Sequence, residues 1–201
     1  EALIEAATQM ILESGIGAVT MRALARRVGV SPAAYAYHFP DKASLLLAIA
    51  TEGFRKLNAH FEPAREEEDP RERLRILGRR YLDFALGYPG HYRVMFGDHG
   101  TLESKEPSEP EVSEEFMTES YRAFNTLVDT LRLVLEDTPC TWSALDAALS
   151  VWSQIHGAVL LWHTGMFPPP IAESEARTEE DFQRLTLDAL QKTVDALAAG
   201  R

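Results

Sequence analysis

The stretch Thr20-Met21-Arg22-Ala23-Leu24-Ala25-Arg26-Arg27-Val28-Gly29-Val30-Ser31-Pro32-Ala33-Ala34-Tyr35-Ala36-Tyr37-His38-Phe39 decides how this chain is read. Thr20 supplies an N-cap oxygen for amides that a first helical turn leaves unpaired, and Leu24 and Val28 form an apolar i,i+4 stripe. Gly29 stops that helix because it takes the left-handed conformation without steric cost. Val30 is placed to plug the gap between two helices, and Ser31 caps a second helix with Pro32 at its first position. Two helices joined by so short a turn form the unit whose second helix fits the major groove of DNA. That second helix, residues 31–39, has no acidic residue and no long aliphatic one. Small residues surround Tyr35, Tyr37 and His38, a composition suited to touching something rather than to filling a core.

Basic residues stand where phosphates need them. Arg22 falls in the first turn of the first helix, Arg26 and Arg27 follow, and Lys42 comes just after the second helix beside Asp41, the expected cap of the next. From Thr20 to Leu45 the net charge is +3, whereas the 201-residue chain carries −11. Nucleic-acid affinity comes largely from Lys and Arg displacing condensed counterions, so an acidic protein binds DNA through a local basic patch. The acidic excess lies mostly beyond position 60, where it keeps the rest of the molecule off DNA.

The segment from about Glu1 to Phe54 resembles the DNA-binding domain of the TetR family of transcriptional regulators. The resemblance is carried by Ala6-Ala7, Gly15-Ile16-Gly17, Val19-Thr20-Met21-Arg22, Ala25-Arg26-Arg27-Val28-Gly29-Val30-Ser31 and Tyr37-His38-Phe39-Pro40-Asp41-Lys42. It implies phosphate contacts from Thr20, from Tyr37 or Tyr35, and from Lys42, with base reading near Ser31, Ala33, Ala34 and Tyr37. Arg22 and His38 complete the expected DNA-binding set. The chain departs from the family at Ala36, where an aromatic residue is usual, so the choice between Tyr35 and Tyr37 stays open. Ala33 and Ala34 offer methyl contacts to thymine and no bidentate hydrogen bonds, leaving part of the specificity to groove shape and water.

Composition fits an all-α protein of two domains: a helix-turn-helix domain of three helices at 1–60 and a larger helical ligand-binding and dimerisation domain at 61–201. With 45% hydrophobic residues the chain can bury a substantial core. No stretch reads as long and apolar enough to span a membrane, so no membrane partner is expected. The single Cys140, after Pro139 at the start of a helix, excludes an internal disulfide and suits a reducing cytoplasm. Glu1 is not an initiating methionine, which leaves room for a preceding arm; such arms are often basic and touch DNA.

Pro63 to Asp69 reads as an acidic linker. Asp69-Pro70 then opens a helix with Leu74, Leu77, Tyr81, Leu82 and Ala85 at helical spacing, ending near Gly87. His91 to Gly97 gives one or two more turns, and 98–110 a polar loop. Long helices are expected at about 112–136, 141–166 and 178–199, the last opened by a capping box in Thr178-Glu179-Glu180-Asp181, with Pro168-Pro169-Pro170 breaking the chain before it. The helix at 141–166 shows two apolar faces, one with Leu145, Leu149, Trp152, His156 and Val159, the other with Ala144, Ala147, Val151, Ala158 and Leu161. The helix at 178–199 sets Phe182, Leu185, Ala189, Thr193 and Ala196 against Leu187, Leu190, Val194 and Leu197. Second faces of this kind point to a homodimer built on a four-helix interface, as the family has.

His91-Tyr92-Arg93-Val94-Met95-Phe96 and Trp152-Ser153-Gln154-Ile155-His156-Gly157 resemble a branch of the family with a Trp, His, Gly signature in its ligand domain. The resemblance implies a helical pocket for a small-molecule effector. Tyr81, Phe84, Tyr88, Phe96, Phe124, Trp152 and Trp162 are candidates to line it, with His156 as a polar handle and Gly157 marking close helix packing. His156 and His163 lie about 10 Å apart along a helix, awkward for one ion, so no metal and no cofactor are expected. An all-helical enzyme or cofactor-binding bundle is the alternative. The paired Glu-x-x-His ligands, phosphate loop or nucleophile motif that it needs do not appear, and no catalytic residue is assigned. The expected function is therefore a regulator, repressing rather than activating as the family most often does, that binds a palindromic double-stranded DNA operator as a homodimer and is released by a small molecule.

Overall fold

The computed structural model describes residues 2–31, 37–97, 113–167 and 178–200. Among them the chain forms α1 (Ala2–Ser14), a single 3-10 turn (Ile16–Ala18), α2 (Met21–Val28), α3 (Lys42–Arg65), α4 (Pro70–Gly87), α5 (Pro89–Phe96), α6 (Glu114–Leu135), α7 (Ala144–His163) and α8 (Glu179–Ala198), and no strand. The expected all-α class holds. The expected second helix at 31–39 falls mostly outside the described residues, with Tyr37 and His38 helical; the loop at 98–110 and the triple proline lie outside them altogether.

Caps set most of these boundaries. Thr20 Oγ1 accepts from the Ala23 amide at 3.1 Å, and Asp41 Oδ1 accepts from the Ser44 amide at 2.7 Å. Asp69 Oδ1 accepts from the amides of Arg71 and Glu72 at 2.8 and 3.0 Å. Thr178 and Asp181 close the expected capping box on α8. Gly29 ends α2 at φ 74°, ψ 26°, and the amides of both Gly29 and Val30 return to the Ala25 carbonyl.

Three expectations change. Pro63 lies inside α3, so the linker shrinks to 66–69. Proline removes one helical donor there, and the Arg65 guanidinium turns back to hold the same turn, donating to the Asn58 carbonyl at 2.9 Å and to Asn58 Oδ1 at 2.7 Å. α7 begins at Ala144, because Ser143 is the cap that accepts from the Asp146 amide, and Cys140 therefore precedes the helix. Val30 is 36% exposed, and the second helix it is expected to pack against lies mostly outside the described residues. Finally, α7 does meet the length and composition of a membrane span, twenty residues with mean hydropathy 1.2. The cause is a helix that is apolar all round: Ala147, Val151, Ile155 and Val159 are buried, while Leu145, Leu149, Leu160 and Leu161 are 43 to 53% exposed.

The residues fall into two compact units, one drawn from 1–56 and 88–121, the other from 57–87 and 122–201, with α3 and α6 contributing to both. In the first, α1 packs on α2, on the 3-10 turn and on α5, around Ile11, Val19, Leu24, Leu45 and Ile49, none of which is exposed to solvent. α5 is wedged closely: a methyl on Gly90 would sit 3.0 Å from the Thr8 carbonyl oxygen of α1, and one on Gly53 of α3 would sit 2.9 Å from Met95 Cγ. In the second unit α4, α7 and α8 pack on one another. Phe84, Leu82, Leu131, Val159 and Phe182 are fully buried there. The expected stripes mix accordingly: Val159 is buried although Leu145 and Leu149 of the same stripe are exposed, and Phe182 is buried together with Leu190 and Val194 of the opposite stripe.

Candidate DNA-binding and effector sites

In the first unit the helix-turn-helix presents Arg22 and Arg26 exposed on α2. Arg27 is spoken for, since its Nη1 and Nη2 both donate to the Glu13 carboxylate of α1 at 2.6 Å. That hydrogen bond holds the Glu13 carboxyl below its ordinary range and raises Arg27. Arg27 thus ties α2 to α1 rather than standing ready for a phosphate. Thr20 is exposed at the start of α2 with its hydroxyl accepting the cap bond, which leaves the O–H to donate outward. Tyr37 is 88% exposed and meets the exposed His38 ring edge-on at 5.5 Å. Ser31 is exposed, and Ala33, Ala34 and Tyr35 lie outside the described residues.

Lys42 is only half exposed, and its Nζ donates to the Ile16 carbonyl at 2.7 Å. Burial lowers its pKa from the ordinary lysine value. The lysine expected to touch phosphate therefore also ties the start of α3 to the 3-10 turn after α1. An ammonium has three donors, so one such bond leaves two for DNA.

In the second unit a cavity of about 70 Å³ opens behind α4. Tyr81 and Trp152, two of the candidate residues, line it, joined by Leu77 and Gly78 of α4, Leu127 of α6, Ile155 of α7 and Val194 of α8. Two polar side chains, Arg75 and Gln191, complete the wall. The Tyr81 hydroxyl meets His156 Nδ1 at 3.2 Å. Burial lowers the His156 pKa, so the imidazole is neutral near pH 7 and is a partner for Tyr81 rather than a charge. Phe124 packs edge-on against Trp152 at 5.9 Å, behind the wall.

The other expected lining residues are placed elsewhere. Phe84 is fully buried against His60, and Trp162 stacks on Phe182 at 4.7 Å. Tyr88 and Phe96 belong to the first unit, Tyr88 under the Lys56 ammonium at 5.1 Å and Phe96 between Phe54 and Tyr92. Weighing aromatics alone missed the aliphatic wall, which at helical spacing looks like any core. The one signal in the sequence was Arg75, a charge at the edge of the apolar stripe that includes Leu74, Leu77 and Tyr81. Gly157 also reads differently: a methyl built there meets nothing within 4 Å among the described residues, so none of the described helices packs closely on it. Among the described residues, no three His, Cys, Asp or Glu side chains converge as metal ligands do.

Comparison with known proteins follows the same division. Residues 3–49 match the family of bacterial regulatory proteins named tetR, and residues 74–190 match the tetracyclin repressor-like C-terminal domain. The nucleoid occlusion factor SlmA of Vibrio cholerae is 37% identical over 103 residues, 48% of this chain and 50% of that protein. The chain spans about half the length of the curated relatives it matches. Among solved structures, the TetR family regulator PfmR of Thermus thermophilus covers 100% of this chain and 98% of its own, at TM-score 0.70 and 21% identity. FadR of Bacillus subtilis, solved with stearoyl-CoA, aligns over 100% and 98% at TM-score 0.68 and 15% identity, a likeness of fold alone. With the helix-turn-helix in one matched segment and the cavity-bearing bundle in the other, this chain belongs to the TetR family of DNA-binding transcription regulators.

Proposed function

We propose that this protein is a repressor that binds a palindromic operator as a homodimer and releases it when a small molecule enters the cavity behind α4. The observation that supports the reading most is the place of that cavity in the chain: its α4 wall ends at Gly87 and continues directly into α5, the helix wedged on α1 and α3 through Gly90 and Gly53. A helix packed that closely transmits a shift rather than absorbing it. Effector pockets for drug-sized ligands hold about 300–1,000 Å³, so a cavity of about 70 Å³ admits such a molecule only if its helices part. Parting them displaces α4, and with it α5 and the spacing of the two recognition helices. A ligand shifts this equilibrium only by preferring one state. The reading includes no catalytic step; regulation is by binding alone.

The homodimer is supported by the exposed leucines of α7, Leu145, Leu149, Leu160 and Leu161. Gly157 shares their side of the helix, and its open surroundings suit the close approach of a second copy. The test is operator binding followed by anisotropy while an effector is added to saturation. Release of the operator supports the reading, and unchanged operator affinity at saturation refutes it.

A further inference from the structure

Helix α4 carries five arginines against Glu72 and Asp83, in a chain whose net charge is −11. Three are no part of the cavity wall. Arg73 donates through Nε and Nη2 to the Glu67 carbonyl at 2.8 and 2.5 Å. Arg71 pairs with Asp195 at 3.1 Å, and Arg80 with Asp83 at 3.7 Å. Arg75 differs because it forms part of the cavity wall, among side chains that are otherwise almost wholly apolar. Its guanidinium is held by Glu72, Nε to Oε2 at 2.8 Å and Nη2 to Oε1 at 2.5 Å, yet the two side chains are 52% and 40% exposed. An ion pair half in water is weakly held and open to exchange. Arg79 follows one turn later on the same side of α4 and is exposed, making no ion pair among the described residues.

An apolar cavity with one arginine in its wall, its guanidinium half exposed and held by Glu72, selects a class of molecule. Its apolar body is driven in by removal from water, and an oxyanion can take the place of Glu72 on Arg75 with two parallel hydrogen bonds. A cationic amphiphile would face the guanidinium across apolar walls, and a neutral one would gain nothing from it. We propose that the ligand of this cavity is an amphipathic anion, an apolar chain bearing a carboxylate or phosphate head. Arg75 takes the head, with Arg79 as the second cation, and the walls of α4, α7 and α8 take the chain. The chain enters where α4 and α8 separate at Gly78, against which Leu187 and Leu190 now press. This inference rests on the reading of the cavity as the effector site.

The full chain is titrated by calorimetry with decanoate, decyl phosphate, decanol and decylammonium below their micellar concentrations. The expected result is binding of at least one anion tenfold or more tighter than decanol or decylammonium, and the carboxylate and phosphate arms identify the head. Arg75→Gln reduces the anion to the level of decanol and leaves decanol unchanged, whereas Arg73→Gln keeps the preference. Glu72→Gln, which removes the competing carboxylate, tightens anion binding several-fold, a gain that misfolding cannot imitate. Equal affinity for anion and alcohol, no binding of either anion, or a preference that survives Arg75→Gln overturns the proposal. If the anion binds as stated but leaves operator affinity unchanged, the regulatory reading falls and this inference stands. If a neutral ligand binds equally well and releases the operator, the reverse holds.

Discussion

Lys42 has two tasks. Its bond to the Ile16 carbonyl pins the 3-10 turn, and its remaining donors can reach phosphate, so Lys42→Gln should weaken operator binding across all sequences. The salt slope of that binding should fall by about one per protomer; a slope identical to the parent's would assign Lys42 to structure alone. The buried histidines set a pH dependence. His91 is pushed below its ordinary value by burial, with Glu52 opposing, and His156 by burial. His91 Nε2 has no hydrogen-bond partner, and Glu52 Oε1 at 3.5 Å is too far for a strong one. With folded pKa values below the unfolded value near 6.5, the unfolded chain binds more protons, and stability declines as pH falls below about 6.5. Urea midpoints should therefore drop between about pH 6.5 and about pH 5, and His156→Gln should flatten part of that drop; a midpoint rising over this range contradicts the assignment. At this scale the caps were legible, because a Thr or Asp before a helix accepts from amides only a few residues away. The ties of Lys42 to Ile16 and Arg27 to Glu13 were not, since both depend on how α1 and its turn pack against α2 and α3.

Among the elements, α5 and α7 bear opposite constraints. Gly90→Ala pushes a methyl against the Thr8 backbone, and should cost about 1–3 kcal/mol by overpacking. Gly157→Ala meets open space within the chain and should stabilise the fold by about 0.5–1 kcal/mol through helix propensity. Both are read by chemical denaturation, and a larger side chain at the same position, Gly157→Leu, should break the dimer in sedimentation. A dimer unaffected by Gly157→Leu places the interface elsewhere. The helices from α4 onward were legible from the 3.6-residue period of apolar positions, whereas α2 was read from its caps and α1 through the family resemblance. The misread edges have local causes: Pro63 is tolerated where Arg65 holds the turn, and the helix expected from about 141 starts at Ala144 because Ser143 caps it. The faces of α7 could not be sorted from sequence, because a helix apolar all round has no period to distinguish the side its own chain covers from the side left exposed.

For the whole molecule, charge separates the work. Net positive charge gathers in residues 20–45 and in α4, within a chain of net −11, so binding to DNA must be local and strongly screened by salt. With Arg22, Arg26 and Lys42 available on each protomer, a dimer neutralises about six phosphates, and the logarithm of affinity should fall with the logarithm of salt at a slope of about −5. The architecture was legible because the helix-turn-helix is a local motif; the cavity was not, because five helices distant in sequence, α3, α4, α6, α7 and α8, build it mostly from residues that each look like core. The most direct test selects duplexes with the full chain from a random pool and measures anisotropy on the enriched sequence between about 50 and about 200 mM salt. The account predicts an enriched palindrome, two protomers per duplex and a steep fall of affinity with salt. Enrichment of no sequence, or an affinity that does not change with salt, would contradict it.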